Sequence, residues 1–330
     1  NNSGRKNEEH RTVAGRPTRI VVAADGSGDF RSVQEGINAL PGDGGIIKIR
    51  QGVYREAVTI DKPNVRIEGD AGPKDVVIVF NNSAGTVGGT LKSATVSVQG
   101  DDFLAHNITF ANDFSKGKEL APQGSQAVAL LVTGDRAVFR NVRILGAQDT
   151  LYAGSKSCAS EQGPCIPSRQ YFSHCYIEGN VDFIFGDGEA FFSDCEIHAI
   201  PHQMVMLTAQ SKHNPGEKSG FVFDGCKVTA DPGARNIFLG RPWRPYSTVV
   251  FIRTGIDADV DPSGWREWHP GETHSLETAF YAEFTSTGPG SNIKQREQFS
   301  KQLTATEAAH YSKEEFLAGA DHWDPDRSDQ

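Results

Sequence analysis

One unit recurs along this chain: a short apolar strand, a polar turn residue and an alternating stretch. It appears in FLAHNITF (103–110), AVFRNVRI (137–144), QYFSHCYI (170–177), AFFSDCEI (190–197) and FVFDGCKV (221–228). A unit that cannot bury its apolar face alone must stack on its neighbours, so repetition of this kind constrains the fold more than composition does. Aligned on their last apolar residue (Phe110, Ile144, Ile177, Ile197 and Val228), the copies lie 34, 33, 20 and 31 residues apart. The shortest interval approximates a bare coil. Three residues before the anchor stand Asn107, Asn141, His174, Asp194 and Gly225, residue types that tolerate tight or left-handed turns. Ile108, Val142, Cys175, Cys195 and Cys226 follow and read as an inward-facing stack. The period, rich in strand and turn formers, predicts an all-β solenoid, a parallel β-helix.

Five residues past the anchor, two adjacent copies carry an acid, Asp149 and Asp182, where the others carry Ser115, His202 and Gly233. Strands in a sheet lie about 4.8 Å apart, which places the two carboxylates within reach of one bond. Like charges that close raise one pKa, leaving one member ionised and one protonated. Two turn aspartates would carry the same spacing, since Asp is common in turns.

A solenoid grows by adding coils, so the 330 residues are read as a tail over 1–18 and one β-helical domain over 19–330. The stretch SGDFRSVQEGINALPGDGG supplies a capping helix through Phe30, Val33, Ile37 and Leu40, with Asp29 as its N-cap. Near the C-terminus, Thr304 with Glu307 and Ser312 with Glu315 form capping-box patterns for short helices packed on the coil sides or end. A net charge of −9 argues against nucleic acid as a partner and means that an anionic ligand needs local cations. No apolar run is long enough to span a membrane, and a monomer is expected. Cys158 and Cys165, in CASEQGPC, are spaced for a loop disulfide, which implies an oxidising compartment and hence a secreted, extracellular protein. Sequons at Asn1, Asn81 and Asn107 permit glycosylation there.

Five segments, in order, carry a resemblance: GVYREAV (52–58), GSQAVALLV (124–132), AQDTLY (147–152), NVDFIFG (180–186) and LGRPW (239–243). Together they resemble the pectin methylesterases, carbohydrate esterase family 8, from about Ile20 to Leu317. The resemblance implies a right-handed parallel β-helix that hydrolyses C6 methyl esters of galacturonic acid in pectin, with no metal and no organic cofactor. Carried over by motif, Asp182 is the nucleophile and Asp149 the general acid and then base. Gln126 and Gln148 donate to the oxyanion. Arg241 holds Asp182 ionised and aimed. Trp243 offers an apolar face to a sugar ring, Tyr152, Val181 and Phe185 line the cleft, and Thr90 contacts the polysaccharide.

One departure stands out. Asp149 and Asp182 are 33 residues apart where a bare coil needs about 20, the surplus being SKSCASEQGPC, expected to build one cleft wall. Rival readings are a polygalacturonase-like or other pectin-degrading β-helix, which Gly100-Asp101-Asp102 superficially suggests, and an inactive polysaccharide-binding β-helix. The first lacks its accompanying His-Gly and Arg-x-Lys segments; the second sits poorly with the survival of both acids, both glutamines and Arg241. No G-x-S-x-G elbow occurs, and His202, His213 and His269 lack metal-ligand spacing.

Overall fold

The turn column sets the architecture. In the structure, a computed structural model describing residues 15–116 and 124–329, Asn107, Asn141, His174, Asp194 and Gly225 all take left-handed backbone, with φ between 52° and 67°. The sequon at Asn1 and most of the expected tail lie outside the described residues. Each left-handed residue bends the chain between two parallel ladders. Leu104–Asn112 and Ala137–Leu145 run through both ladders as single nine-residue strands, whereas in the next coil the same path breaks into Arg169–Ser173 and Tyr176–Gly179. A third face is a six-stranded parallel ladder, paired in the order Val58–Ile60, Val96–Val98, Leu130–Val132, Leu151–Ala153, Ile184–Gly186 and Thr208–Gln210. Three ladders winding about one axis make a parallel β-helix, with the right-handed sense that parallel crossovers adopt.

Register follows the repeat. Phe110 pairs with Ile144, Ile144 with Ile177, Ile177 with Ile197, and Ile197 with Val228. Behind the bends Cys175, Cys195 and Cys226 are free and buried. Their thiols donate to the carbonyls of Phe139, Phe172 and Phe192, so each sulfur ties its coil to the one before. Beside them Phe139, Phe172, Phe192, Phe223 and Phe251 stack nearly face to face, with centroids 4.4 to 4.8 Å apart. Ring pairs of this kind add about 0.5–1.5 kcal/mol each beyond area burial, so the interior is held coil by coil.

The ends differ from expectation in one respect. The capping helix Val33–Ala39 is started by Ser32, whose hydroxyl accepts from the Glu35 amide, and not by Asp29. Asp29 instead accepts from the Val21 amide and braces the first strand. The first helical amides are met by Glu56, which accepts from Val33 and Gln34 at 2.9 and 2.8 Å, so the GVYREAV segment serves the cap. At the C-terminus, Thr304 and Glu307 form a full capping box before Ala305–Ala308. Ser312 caps Lys313–Phe316. These helices lie along the side of the solenoid, where Leu303, Ala308 and Leu317 cover the outward residues Tyr171, Phe191, Val222 and Val250. Arg169 anchors them, donating to the carbonyls of Leu317 and Ala318 and pairing with Asp135 and Asp321.

Candidate active site

The outer face of the six-stranded ladder and its extension carries nearly every residue singled out above. Leu130 pairs with Leu151 and Leu151 with Ile184, which puts Asp149 and Asp182 on successive rungs just ahead of their strands. The Asp149 amide donates to the Val181 carbonyl at 3.0 Å. Both acids occupy left-handed backbone, φ 61° and 52°, a conformation open to few residues besides Gly, Asn and Asp. Turn geometry and chemistry therefore favour the same residue type at these positions.

Arg241 reaches Asp182 from across the intervening rung, where its amide donates to the Thr208 carbonyl. Its Nε and Nη2 donate to the two carboxylate oxygens of Asp182 at 2.8 and 2.6 Å. Such a fork fixes both charge and aim. Asp182 and Asp149 are 7 and 8 % exposed. Burial raises the pKa of Asp182, and Arg241 opposes that rise. Asp149 stands well above the ordinary carboxylate range, first because it is buried and second because Asp182 lies beside it. Both acids are thus raised, Asp149 further than Asp182, and burial exceeds like-charge repulsion as the cause for Asp149. One oxygen of Asp149, Oδ1, is buried with no hydrogen-bond partner.

Gln148 shares the rung of Asp149, and Gln126 lies one rung earlier. Gln148 precedes Asp149, and its Oε1 accepts from the Ser125 hydroxyl at 2.7 Å, which leaves Nε2 as a donor with no partner among the described residues. The Gln148 carbonyl accepts from the Ala127 amide, so Gln126 stands beside it across the ladder. Gln126 is half-buried, and its side chain makes no hydrogen bond among the described residues.

An apolar floor runs past these groups: Ala94, Val128, Leu131, Tyr152, Phe185 and Ala209, with Trp243 and Trp268 packed against it. Tyr152 meets Phe185 edge-on at 5.0 Å, and Phe185 meets Trp243 at 5.9 Å. Val181, just ahead of Asp182, is buried as well. Thr90 begins the turn Leu91–Ser93 that leads to Ala94 on that floor. Sequence reasoning missed Trp268, whose ring lies under the Arg241 guanidinium at 4.2 Å. It lacks a repeat position; the signal was only its place downstream of LGRPW. Trp243 has a neighbour on its ring too, the Arg244 guanidinium at 4.6 Å, so one aromatic surface assigned to sugar is shared.

The surplus between the acids forms an antiparallel hairpin, Ser155–Cys158 with Cys165–Pro167, closed by a Cys158–Cys165 disulfide. Buried Asp187 roots it by accepting from the Ser155 amide at 2.7 Å. Cys158, Cys165 and Asp187 are the one grouping of metal-ligating type among the described residues, and the disulfide occupies its sulfurs. The paired acids Asp101 and Asp102 are committed elsewhere, Asp102 to Arg136 and Asp101 to Lys156 and the Asp135 amide. No helix among the described residues is long and apolar enough to cross a membrane.

The Pectinesterase family model matches residues 19–320. Pectinesterase 31 of Arabidopsis thaliana is 37% identical, the match covering 91% of this chain and 92% of that protein. Probable pectinesterase/pectinesterase inhibitor 23 of the same plant is 38% identical over 92% of this chain and 53% of its own length, so the chain spans about half of that relative. Among solved structures, pectin methylesterase from carrot superposes with a TM-score of 0.81 at 34% identity, covering 92% of this chain and 93% of that one. A pectin methylesterase in complex with hexasaccharide VII gives 0.73 at 29% identity, over 92% and 97%. Repeat, ladder and motifs agree with these matches along almost the whole described length, and the chain belongs to the pectinesterase family.

Proposed function

We propose that this chain hydrolyses the C6 methyl esters of galacturonic acid units in pectin, releasing methanol and leaving pectate. The observation that carries the reading is the unlike pair on successive rungs: Asp182 forked by Arg241, and Asp149 buried with an unpartnered oxygen. A nucleophile must stay ionised and aimed, which the guanidinium provides against the cost of burial. A general acid must hold its proton, which burial and the neighbouring charge favour for Asp149.

A carboxylate oxygen of Asp182 attacks the ester carbonyl carbon, whose oxygen takes the electron pair. The Nε2 groups of Gln148 and Gln126 donate to that oxyanion; Ser125 on Oε1 holds the Gln148 amide in the donating orientation. Collapse breaks the bond to the methoxy oxygen as Asp149 protonates it, so methanol departs and an acyl–Asp182 anhydride remains. Asp149, now ionised, takes a proton from water as the water oxygen attacks the acyl carbon. The acid is released, Asp182 is regenerated, and Asp149 again holds a proton. Tyr152 and Phe185 of the floor, with buried Val181 next to Asp182, suit a methyl group and exclude water from it. A neighbour crystallised with a hexasaccharide supports an oligomeric sugar chain as the ligand. The disulfide supports an extracellular setting, and a monomer working on polymeric pectin fits the reading.

The test is to incubate the protein with highly methylated pectin and follow methanol and new reducing ends together. Methanol without reducing ends is expected. Reducing ends without methanol would make it a chain-cleaving enzyme, and neither product would leave a binding protein.

A further inference from the structure

The chain carries a net charge of −9, and its proposed product is itself an anion, so the cations that face the cleft decide what it tolerates beside the reacting ester. Arg241 is not available: Asp182 takes two of its donors and Trp268 takes its face. Lys156 is paired with Asp101. Arg244 is different. Its guanidinium lies over Trp243 at 4.6 Å and makes one hydrogen bond, to the Trp243 carbonyl at 3.2 Å. It forms no ion pair with any carboxylate among the described residues, although Asp187 and Glu161 attract it from further off. Half-buried as it is, it has lost part of its hydration without gaining a direct anionic partner. Trp243 in turn packs on the floor through Phe185, so the cation is carried on an aromatic that belongs to the cleft.

We infer that Arg244, stacked on Trp243, is a specificity-determining residue that binds the free carboxylate of an already demethylated galacturonate next to the ester being cleaved. A guanidinium with open donors matches a carboxylate two bonds at a time, and a methyl ester offers no charge to meet it. Being carried on a ring fixes the fork before the ligand arrives, so little side-chain entropy is lost on binding. The inference rests on the esterase reading for its kinetic form alone; the binding of a galacturonate chain tests it separately.

The experiment compares wild type, Arg244→Ala and Arg244→Lys on two oligogalacturonides, one fully methylated and one with alternate free carboxylates, by methanol release. Wild type is expected to prefer the partly demethylated substrate. Arg244→Ala should lower the ratio of the two kcat/KM values about tenfold. Arg244→Lys should restore part of it, because charge returns without the fork. An unchanged ratio in Arg244→Ala, with wild-type melting behaviour, overturns the proposal. Titration with fully demethylated oligogalacturonate gives the second readout: Kd should rise about tenfold in Arg244→Ala, and an equal Kd overturns the assignment. If wild type releases no methanol from either substrate the esterase reading falls, and the titration then decides the role of Arg244.

Discussion

Two buried arginine–carboxylate pairs can be set side by side. At the C-terminal end of the solenoid Glu283 is fully buried against Arg296, and the surroundings leave little unmet: Arg296 also donates to the carbonyls of Pro262 and Gly290, while Glu283 accepts from Ser286 and Gln302 as well. In the cleft Asp182 has the same two-bond fork from Arg241, but beside it stands Asp149 with an oxygen that nothing meets. The pairs look alike, and their neighbourhoods do not. A closed network resists change because each member is needed by several others. An open one leaves a buried polar group unmet, and on the proposed reading the difference separates a structural pair from a reactive one.

That contrast can be broken by substitution. The largest effect is expected from Asp182→Asn, which should reduce methanol release by about a thousandfold or more while circular dichroism stays that of the wild type. Turnover near the wild-type rate would remove Asp182 as nucleophile. Next comes Arg296→Ala, which leaves Glu283 buried without its partner and should cost about 3–5 kcal/mol in denaturant unfolding, with specific activity of the folded fraction retained. A loss under about 1 kcal/mol would mean that the closed network is not holding this end.

The smallest effect is the most discriminating, because its sign is opposite. The folded pKa of Asp149 lies above its ordinary value of 3.8, so the fold prefers the protonated form. Stability present below the unfolded value is therefore lost as pH rises through the folded one. Asp149→Asn removes that loss and should stabilise the protein by about 1 kcal/mol at pH 7. The gain should vanish near pH 4. A variant less stable than wild type at pH 7 would show that Asp149 contributes to the fold as its charged form, and would erase the contrast with Glu283.

Much of this was legible because the repeat reports geometry directly. A column of Asn, His, Asp and Gly has one common property, tolerance of left-handed backbone, and all five residues adopt it. The next column is buried throughout, and the anchors pair in register. From those columns the acids fall on successive rungs. What escaped reading depends on contacts that repeat spacing does not encode. Glu56 meets the first helix amides from a different coil, which local pattern does not show, whereas the Ser32–Glu35 cap is a local pattern that the choice of Asp29 passed over. Trp268, which packs on the cleft floor and lies against Arg241, belongs to no repeat. Arg244 had no role visible in LGRPW, because its position over Trp243 is set by folding of the segment after the motif.

The left-handed backbone at Asp149 and Asp182 restricts the alphabet of replacements. Glutamate would have to adopt a strained conformation as well as move its carboxyl group, whereas asparagine fits the same turn at almost no conformational cost. A single-base change from either aspartate codon reaches asparagine. If the two aspartates act as proposed, the most accessible inactivating mutations at these positions preserve the solenoid, and a lineage with this geometry can shed its chemistry in one step while keeping the folded cleft. Descendants of such proteins that bind without cleaving need no new fold and no intermediate that fails to fold.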